Sequence, residues 1–116
     1  MKDKINWNEF SFWGREKEYV NRAIDSTWIS GGQFIEKFEK ELAQKLNLEN
    51  AFVVSNGTAA LQLAFLTIDI KPGDEVIVPA YGFLAAANVL KLMHATPVFV
   101  DVDELTWCMN PKKIQD

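Results

Sequence analysis

Three short apolar runs separated by two helical stretches constrain this chain more than any other feature of its sequence. The runs occupy residues 51–54, 75–78 and 97–100, and the pattern between them predicts helices at 58–67 and 83–93. Uninterrupted apolar runs of this length are typical of strands that are buried on both faces. Strands that alternate with helices at this spacing predict parallel pairing through right-handed crossovers. The fold class is therefore α/β, with parallel strands between layers of helices.

The sequence before the first run predicts an irregular arm and two helices. Four aromatic residues fall between positions 7 and 13 without a simple period, and helices are expected at 14–27 and 33–46. In the second helix the apolar side chains recur at spacings of three and four, which places them on one face. We therefore divide the chain into residues 1–50, an arm with two helices, and residues 51–116, a βαβαβ part.

The predicted βαβαβ part does not complete a layered domain. Three parallel strands need cover on both faces, and their sheet would keep two open edges. Asn110 and Pro111 have the character of a helix cap and a first helical residue, so a further helix is expected to begin where the sequence ends. We expect the chain to be the front portion of a longer domain.

Composition excludes several classes of protein. The 116 residues include one cysteine and one histidine, which leaves no internal disulfide and no cysteine-rich or histidine-rich metal centre. The formal net charge is −4 and no basic face is evident, so we expect no nucleic-acid partner. No stretch approaches the roughly 18 apolar residues of a membrane span, and residues 1–9 lack the apolar region of a secretory signal. A soluble, cytoplasmic protein with no membrane partner is expected.

The sharpest local motif is Ser55-Asn56-Gly57-Thr58, which joins the first apolar run to the helix after it. The N-terminus of a helix presents unpaired N–H groups and a partial positive charge, so this turn could hold a phosphate. The alternative is that its polar side chains only cap the helix. The segment is neither a dinucleotide-binding glycine motif nor a Walker loop, and by itself it favours the cap.

Each of the other candidate segments also has a structural alternative. Tyr81 or Phe83, after the second run, could stack on a flat ligand ring, but filling the core is the favoured interpretation. The loop 28–32 could bind a ligand, although an interhelical connector is favoured. Asp101 and Asp103 could hold a metal or act as a pair of catalytic bases. The favoured interpretation is that they are solvated carboxylates of a loop.

Five segments follow one another in a characteristic order: WISG at 28–31, FE at 38–39, SNGTAAL at 55–61, PGDEVIVP at 72–79 and TPVFVDVD at 96–103. Together they resemble the opening part of the DegT/StrS-type sugar aminotransferases, in particular the perosamine synthase-like members that aminate nucleotide-linked 4-keto-6-deoxyhexoses. The resemblance implies the cofactor pyridoxal 5′-phosphate (PLP) and an incomplete large domain of the aspartate-aminotransferase-like architecture, fold type I. It also implies a nucleotide-sugar substrate, an amino donor and a homodimeric full-length parent in deoxysugar or surface-polysaccharide biosynthesis.

The same resemblance implies roles for individual residues. Gly57, Thr58 and Ala59 would hold the PLP phosphate at the helix N-terminus, and Phe83 would stack on the pyridine ring. A second group would bind substrate near the subunit interface: Trp28, Ser30 and Gly31.

The family's most important groups are not matched in this sequence. The lysine that carries the cofactor and the acidic residue that faces the pyridine nitrogen follow later in the family pattern, and none of the ten lysines here has the family's lysine context. We therefore predict no catalytic residue in this chain and no transamination by it alone. Three alternatives stay open: a non-catalytic phosphate-binding, PLP-binding or dimerisation fragment, a PLP-dependent sugar dehydratase of the same family with histidine in place of lysine, and a remnant without function.

Overall fold

The structure is a computed structural model that describes residues 8–114. Trp7 of the predicted arm and the last two residues of the predicted βαβαβ part lie outside the described residues. Contacts divide the chain into two units, Met1–Val53 and Val54–Asp116. The division expected between residues 50 and 51 remains a prediction about domain organisation.

The first unit contains the arm and two helices, α1 (Glu16–Asp25) and α2 (Gln33–Leu46). Residues 8–13 form neither helix nor strand, as the aromatic pattern predicted. The α2 helix ends because Asn47 adopts a left-handed backbone with φ of 53°, and the amides that follow donate back to the last turn of the helix. The predicted bounds of α2 are confirmed, whereas α1 is shorter at both ends than the pattern suggested.

The second unit contains a parallel βαβ arrangement. Its elements in chain order are α3 (Gly57–Thr67), β1 (Glu75–Pro79), α4 (Ala85–Leu92) and β2 (Thr96–Val100). The β1 and β2 strands pair in parallel, with Ile77 opposite Val98 at the centre of the register. The α4 helix connects the two strands and packs on both of them and on α3. The parallel pairing predicted from the apolar runs is confirmed for these two strands.

The core of this unit lies between the sheet and α4. Val78, Leu90 and Ala95 form its centre, with Leu90 fully buried. Alternate strand residues point to the other face of the sheet, where Ile77 remains 41% exposed. The sheet is therefore covered on one face by its own helix, while Ile77 on the second face stays accessible.

The strand expected at residues 51–54 is not formed in the described part of the chain. The run has no regular secondary structure and belongs to no ladder, and the amide of Val53 donates instead to Oε1 of Glu39 at 2.8 Å. A strand requires a hydrogen-bonded neighbour, and apolar character alone does not supply one. The predicted βαβαβ part is thus a helix followed by βαβ, and the sequence-based assignment of the first strand was wrong.

The end of the described chain confirms the predicted cap. The Asn110 Oδ1 accepts a hydrogen bond from the amide of Lys112 at 3.0 Å, and a single 3₁₀ turn follows at Pro111–Lys113. Among residues 8–114, no helix combines the length and the apolar character that crossing a membrane requires.

Candidate functional site

The N-terminus of α3 is capped by the side chain of the residue before it. Asn56 has an extended backbone, and its Oδ1 accepts a hydrogen bond from the amide of Ala59 at 2.9 Å. The carbonyl of Asn56 accepts from the amide of Ala60 at 3.1 Å. The capping interpretation of the motif is therefore correct for Asn56, and one of the four N-terminal amides is already satisfied.

Two amides of the same turn remain available. Gly57 and Thr58 are exposed, and neither amide donates a hydrogen bond to another of the described residues. A methyl group placed on Gly57 would meet nothing within 4 Å, so the backbone is not crowded at this position. The first turn of α3 carries no acidic side chain that would repel an anion. Cap and anion site are therefore compatible here, because Asn56 uses the Ala59 amide and leaves the other two.

This geometry fits the phosphate of PLP at two of the three residues that the resemblance assigned to it. Gly57 and Thr58 offer free N–H groups at the positive end of a helix of 11 residues, and Thr58 adds a hydroxyl. Ala59 is already engaged with Asn56, so its amide can reach a phosphate only by sharing or giving up that bond.

The aromatic residues after β1 do not fill the core. Phe83 is 89% exposed and Tyr81 is 60% exposed. Gly82 between them has φ of 154°, at the edge of the region that side chains rarely adopt. The core interpretation favoured by the local sequence is therefore wrong for Phe83, whose ring is accessible just after the carboxyl end of a parallel strand, where ligands bind in such sheets.

The loop between α1 and α2 is a connector with a defined conformation. Gly31 and Gly32 have φ of 87° and 84°, and a Cβ on Gly32 would lie 2.7 Å from Cδ1 of Trp28. The ring of Trp28 thus packs on the glycine backbone while remaining 67% exposed. Ser30 is exposed beside it. The connector interpretation is confirmed, and the substrate role of Trp28, Ser30 and Gly31 stays a prediction.

The carboxylates after β2 organise a loop. The Asp103 carboxylate accepts hydrogen bonds from the amide and hydroxyl of Thr106 and from the amide of Leu105, at 3.0, 3.1 and 3.1 Å. These bonds hold the pKa of Asp103 below its ordinary value, since they stabilise the charged form. Within residues 8–114 no group of three potential metal ligands occurs.

Sequence reasoning missed one contact of this region. The ring of Trp107 lies edge-on to that of Tyr81, with 4.9 Å between centroids and an interplanar angle of 71°. An aspartate followed three residues later by threonine is a recognisable signal for the loop that carries Trp107. The partner of its ring could not be read from the sequence.

Every lysine of the described residues is exposed to solvent. These lysines are Lys17, Lys37, Lys40, Lys45, Lys71, Lys91, Lys112 and Lys113. None of them is therefore enclosed in the manner of a cofactor-carrying lysine.

Comparison with known structures places this fold among the PLP-dependent aminotransferases of fold type I. An aminotransferase from Psychrobacter cryohalolentis matches with a TM-score of 0.80 and 38% identity over 90% of this chain and 27% of its own. NtdA of Bacillus subtilis, solved with the bound cofactor PMP, matches with a TM-score of 0.76 and 31% identity over 85% of this chain and 23% of its own.

Sequence comparison gives the family. A model of the DegT/DnrJ/EryC1/StrS aminotransferase family matches residues 13–116, and the chain belongs to that family. The GDP-perosamine synthase of Escherichia coli O157:H7 is 50% identical over 106 residues, which are 90% of this chain and 29% of the relative. The chain therefore spans less than a third of the length of the relatives that it matches.

Proposed function

We propose that this chain forms the phosphate-binding part of a PLP-dependent aminotransferase that aminates a nucleotide-linked keto-deoxysugar, with a 4-keto-6-deoxyhexose as the expected substrate. The observation that carries the proposal is the pair of amides at Gly57 and Thr58, which donate to no other described residue and lie at a helix N-terminus whose first turn has no acidic side chain. Membership of the family and the similarity to GDP-perosamine synthase support the substrate class. An amino donor, a homodimeric parent and a cytoplasmic location belong to the same proposal.

Bound PLP supplies an electron sink for the exchange of an amino group, and the residues of this chain supply its binding. The amides of Gly57 and Thr58 donate to the phosphate, with the Thr58 hydroxyl as a third donor. Phe83 offers its exposed ring to the pyridine ring, and such an aromatic contact contributes about 0.5–1.5 kcal/mol beyond the area that it buries. Trp28, Ser30 and Gly31 are proposed to contact the sugar nucleotide.

Removing the hydroxyl of Thr58 tests the phosphate site. Thr58→Val is expected to weaken the binding of pyridoxamine 5′-phosphate, because a hydrogen bond to a charged group contributes about 1.5–3 kcal/mol. That loss corresponds to roughly tenfold or more in the dissociation constant measured by calorimetry. Pyridoxamine phosphate is the suitable probe, because it carries the phosphate and the ring but no aldehyde that could react with surface lysines.

Thr67→Val is the matched control for that experiment. Thr67 ends the same helix, is exposed, and donates its hydroxyl to the carbonyl of Leu63 at 2.8 Å. Its replacement changes the same chemical group far from the proposed site and should leave binding intact. Equal losses in both variants, or none in Thr58→Val, would contradict the assignment.

The exposed lysines favour a second candidate for the chain taken alone, a non-catalytic fragment that binds phosphate or PLP. Since each lysine of residues 8–114 is solvated, none is held in place to bond the cofactor at one defined position. Borohydride reduction in the presence of PLP, followed by intact-mass and peptide analysis, separates the two candidates. A single stoichiometric adduct at one lysine would refute the non-catalytic fragment, while scattered substoichiometric adducts would support it.

A further inference from the structure

The segment between β1 and α4 presents Phe83 but has few backbone bonds of its own. Its ends are anchored where the amide of Ala80 donates to the carbonyl of Val100 and the amide of Asn88 donates to the carbonyl of Leu84, both at 2.8 Å. Between these anchors, no amide of residues 81–83 donates to another backbone carbonyl of the described chain. The orientation of this segment must therefore come from its side chains.

Tyr81 supplies such a contact through the ring of Trp107. The 4.9 Å separation and the 71° angle are the edge-to-face arrangement that aromatic pairs prefer. Both rings lie just beyond the carboxyl ends of the paired strands, because Tyr81 follows β1 and Trp107 belongs to the loop after β2. The Tyr81 ring also lines a cleft of about 810 Å³ with the acidic side chains of that loop.

Trp107 is itself held by a closed loop. The amide of Trp107 donates to the carbonyl of Asp103, and the amide of Asp103 donates to the carbonyl of Cys108, both at 2.8 Å. The Asp103 carboxylate takes three further hydrogen bonds from the intervening turn. This loop keeps Trp107 at φ of 61°, a left-handed conformation that a bulky residue adopts only when its surroundings enforce it.

We propose that Trp107 is a positioning residue: through its contact with Tyr81 it orders residues 81–83 and thereby orients the ring of Phe83 toward a flat, phosphorylated heteroaromatic ligand. The identity of that ligand rests on the proposed function. The ordering of the segment does not, because it follows from the ring contact and the loop bonds alone. Trp107 is not proposed to touch the ligand itself.

Backbone dynamics test the ordering directly and without any ligand. Trp107→Ala should lower the ¹⁵N heteronuclear NOE of Gly82 and Phe83, while Trp107→Phe, which keeps a ring, should retain most of it. The control is Leu105→Ala in the same loop, since Leu105 is 91% exposed and should change nothing at residues 82 and 83. Unchanged NOE values in Trp107→Ala would overturn the proposal.

A second variant protects this test against loss of the fold. Slow amide exchange at Val78 shows that the strand pair is intact, and if Trp107→Ala loses that protection, Tyr81→Leu takes its place. It removes the same ring contact from the other side and leaves the loop bonds untouched. Retained order at Gly82 and Phe83 in Tyr81→Leu would also overturn the proposal.

Ligand binding provides the second readout. The affinities of inorganic phosphate and of pyridoxamine 5′-phosphate are compared in the native chain and in Trp107→Ala. The variant should bind phosphate as the native chain does but lose roughly three- to tenfold in affinity for pyridoxamine phosphate, the size of one aromatic contact. An undiminished pyridoxamine phosphate affinity would overturn the proposal. If neither ligand binds the native chain, the proposed function fails, and the NOE experiment still decides the role of Trp107.

Discussion

Two substitutions of Asn56 distinguish its role in capping the helix from the binding of an anion at the neighbouring amides. One is expected to weaken anion binding and the other to weaken the helix. Asn56→Asp keeps an oxygen that can accept from the Ala59 amide, as Oδ1 now does at 2.9 Å, but adds a negative charge. Asn56→Ala removes the acceptor and adds no charge. If a phosphate binds at the neighbouring amides of Gly57 and Thr58, the aspartate should weaken its binding and the alanine should not.

The geometry sets the size of both effects. At a separation of roughly 5 Å between a phosphate and the new carboxylate, a dianion and a unit charge repel by roughly 1.7 kcal/mol in water. Asn56→Asp should therefore weaken phosphate binding by roughly 10- to 20-fold at low ionic strength. Its effect on helix stability should be small, since aspartate and asparagine cap about equally well. Asn56→Ala should destabilise α3 by about 1 kcal/mol.

Two measurements on the same samples decide the outcome. Amide hydrogen exchange within α3 reports the stability of the helix, and titration with inorganic phosphate reports affinity. The reasoning is refuted if Asn56→Asp binds phosphate as well as the native chain, or if Asn56→Ala loses binding although α3 remains folded. Either result would mean that the anion does not bind at the free amides.

Three further predictions concern other parts of the chain. Gly32→Ala should destabilise the first unit by at least about 1 kcal/mol in chemical denaturation, because of its left-handed backbone and the 2.7 Å approach of a Cβ to the ring of Trp28. Leu90→Ala should cost about 2–5 kcal/mol, whereas Leu92→Ala, 73% exposed on the same helix, should stay within about 0.5 kcal/mol. The loop bonds of Asp103 lower its pKa, so their contribution is fully present above the ordinary aspartate pKa of about 3.9 and is lost as the pH falls through the lowered value. An acid titration of the indole resonance of Trp107 should follow that loss, and an indole resonance unaffected by acid would contradict it.

The sequence was sufficient to predict those elements that depend only on residues close together in the chain. The bounds of α2 could be read from the sequence because its apolar spacing is regular and because Asn47 can adopt the left-handed conformation that ends a helix. The parallel pairing of β1 and β2 followed from two apolar runs with a helix between them. In both cases the information lies in one continuous stretch of sequence, either a helix with its cap or two strands with the helix that connects them.

The prediction of a first strand was wrong because a strand needs a hydrogen-bonded neighbour, which the apolar character of its own residues does not supply. Residues 51–54 have the apolar character of a buried strand, yet among residues 8–114 no strand is hydrogen-bonded to them. The core interpretation of Phe83 was wrong because α4 begins only at Ala85. The side chains that α4 buries are Ala87, Val89 and Leu90, and Phe83 precedes the helix. The resemblance to the aminotransferases had pointed to an accessible ring.

The site itself was only partly predictable. The turn at residues 55–58 was identified as either a cap or a phosphate site, and the structure allows both because the two functions use different amides. The contact between Tyr81 and Trp107 depends on the left-handed backbone of Trp107, in a loop that hydrogen bonds between Asp103 and Cys108 close. No pattern in the sequence indicates where the ring of such a residue will point.

The central claim is that the amides of Gly57 and Thr58 hold the cofactor phosphate. It is tested most directly by following every backbone amide of the chain in ¹H–¹⁵N spectra during titration with pyridoxamine 5′-phosphate. The account predicts saturable downfield shifts that are largest at these two amides, with smaller changes at Phe83 and none at the N-terminus of α2. Shifts spread over exposed lysines, with Gly57 and Thr58 unmoved at saturation, would contradict it.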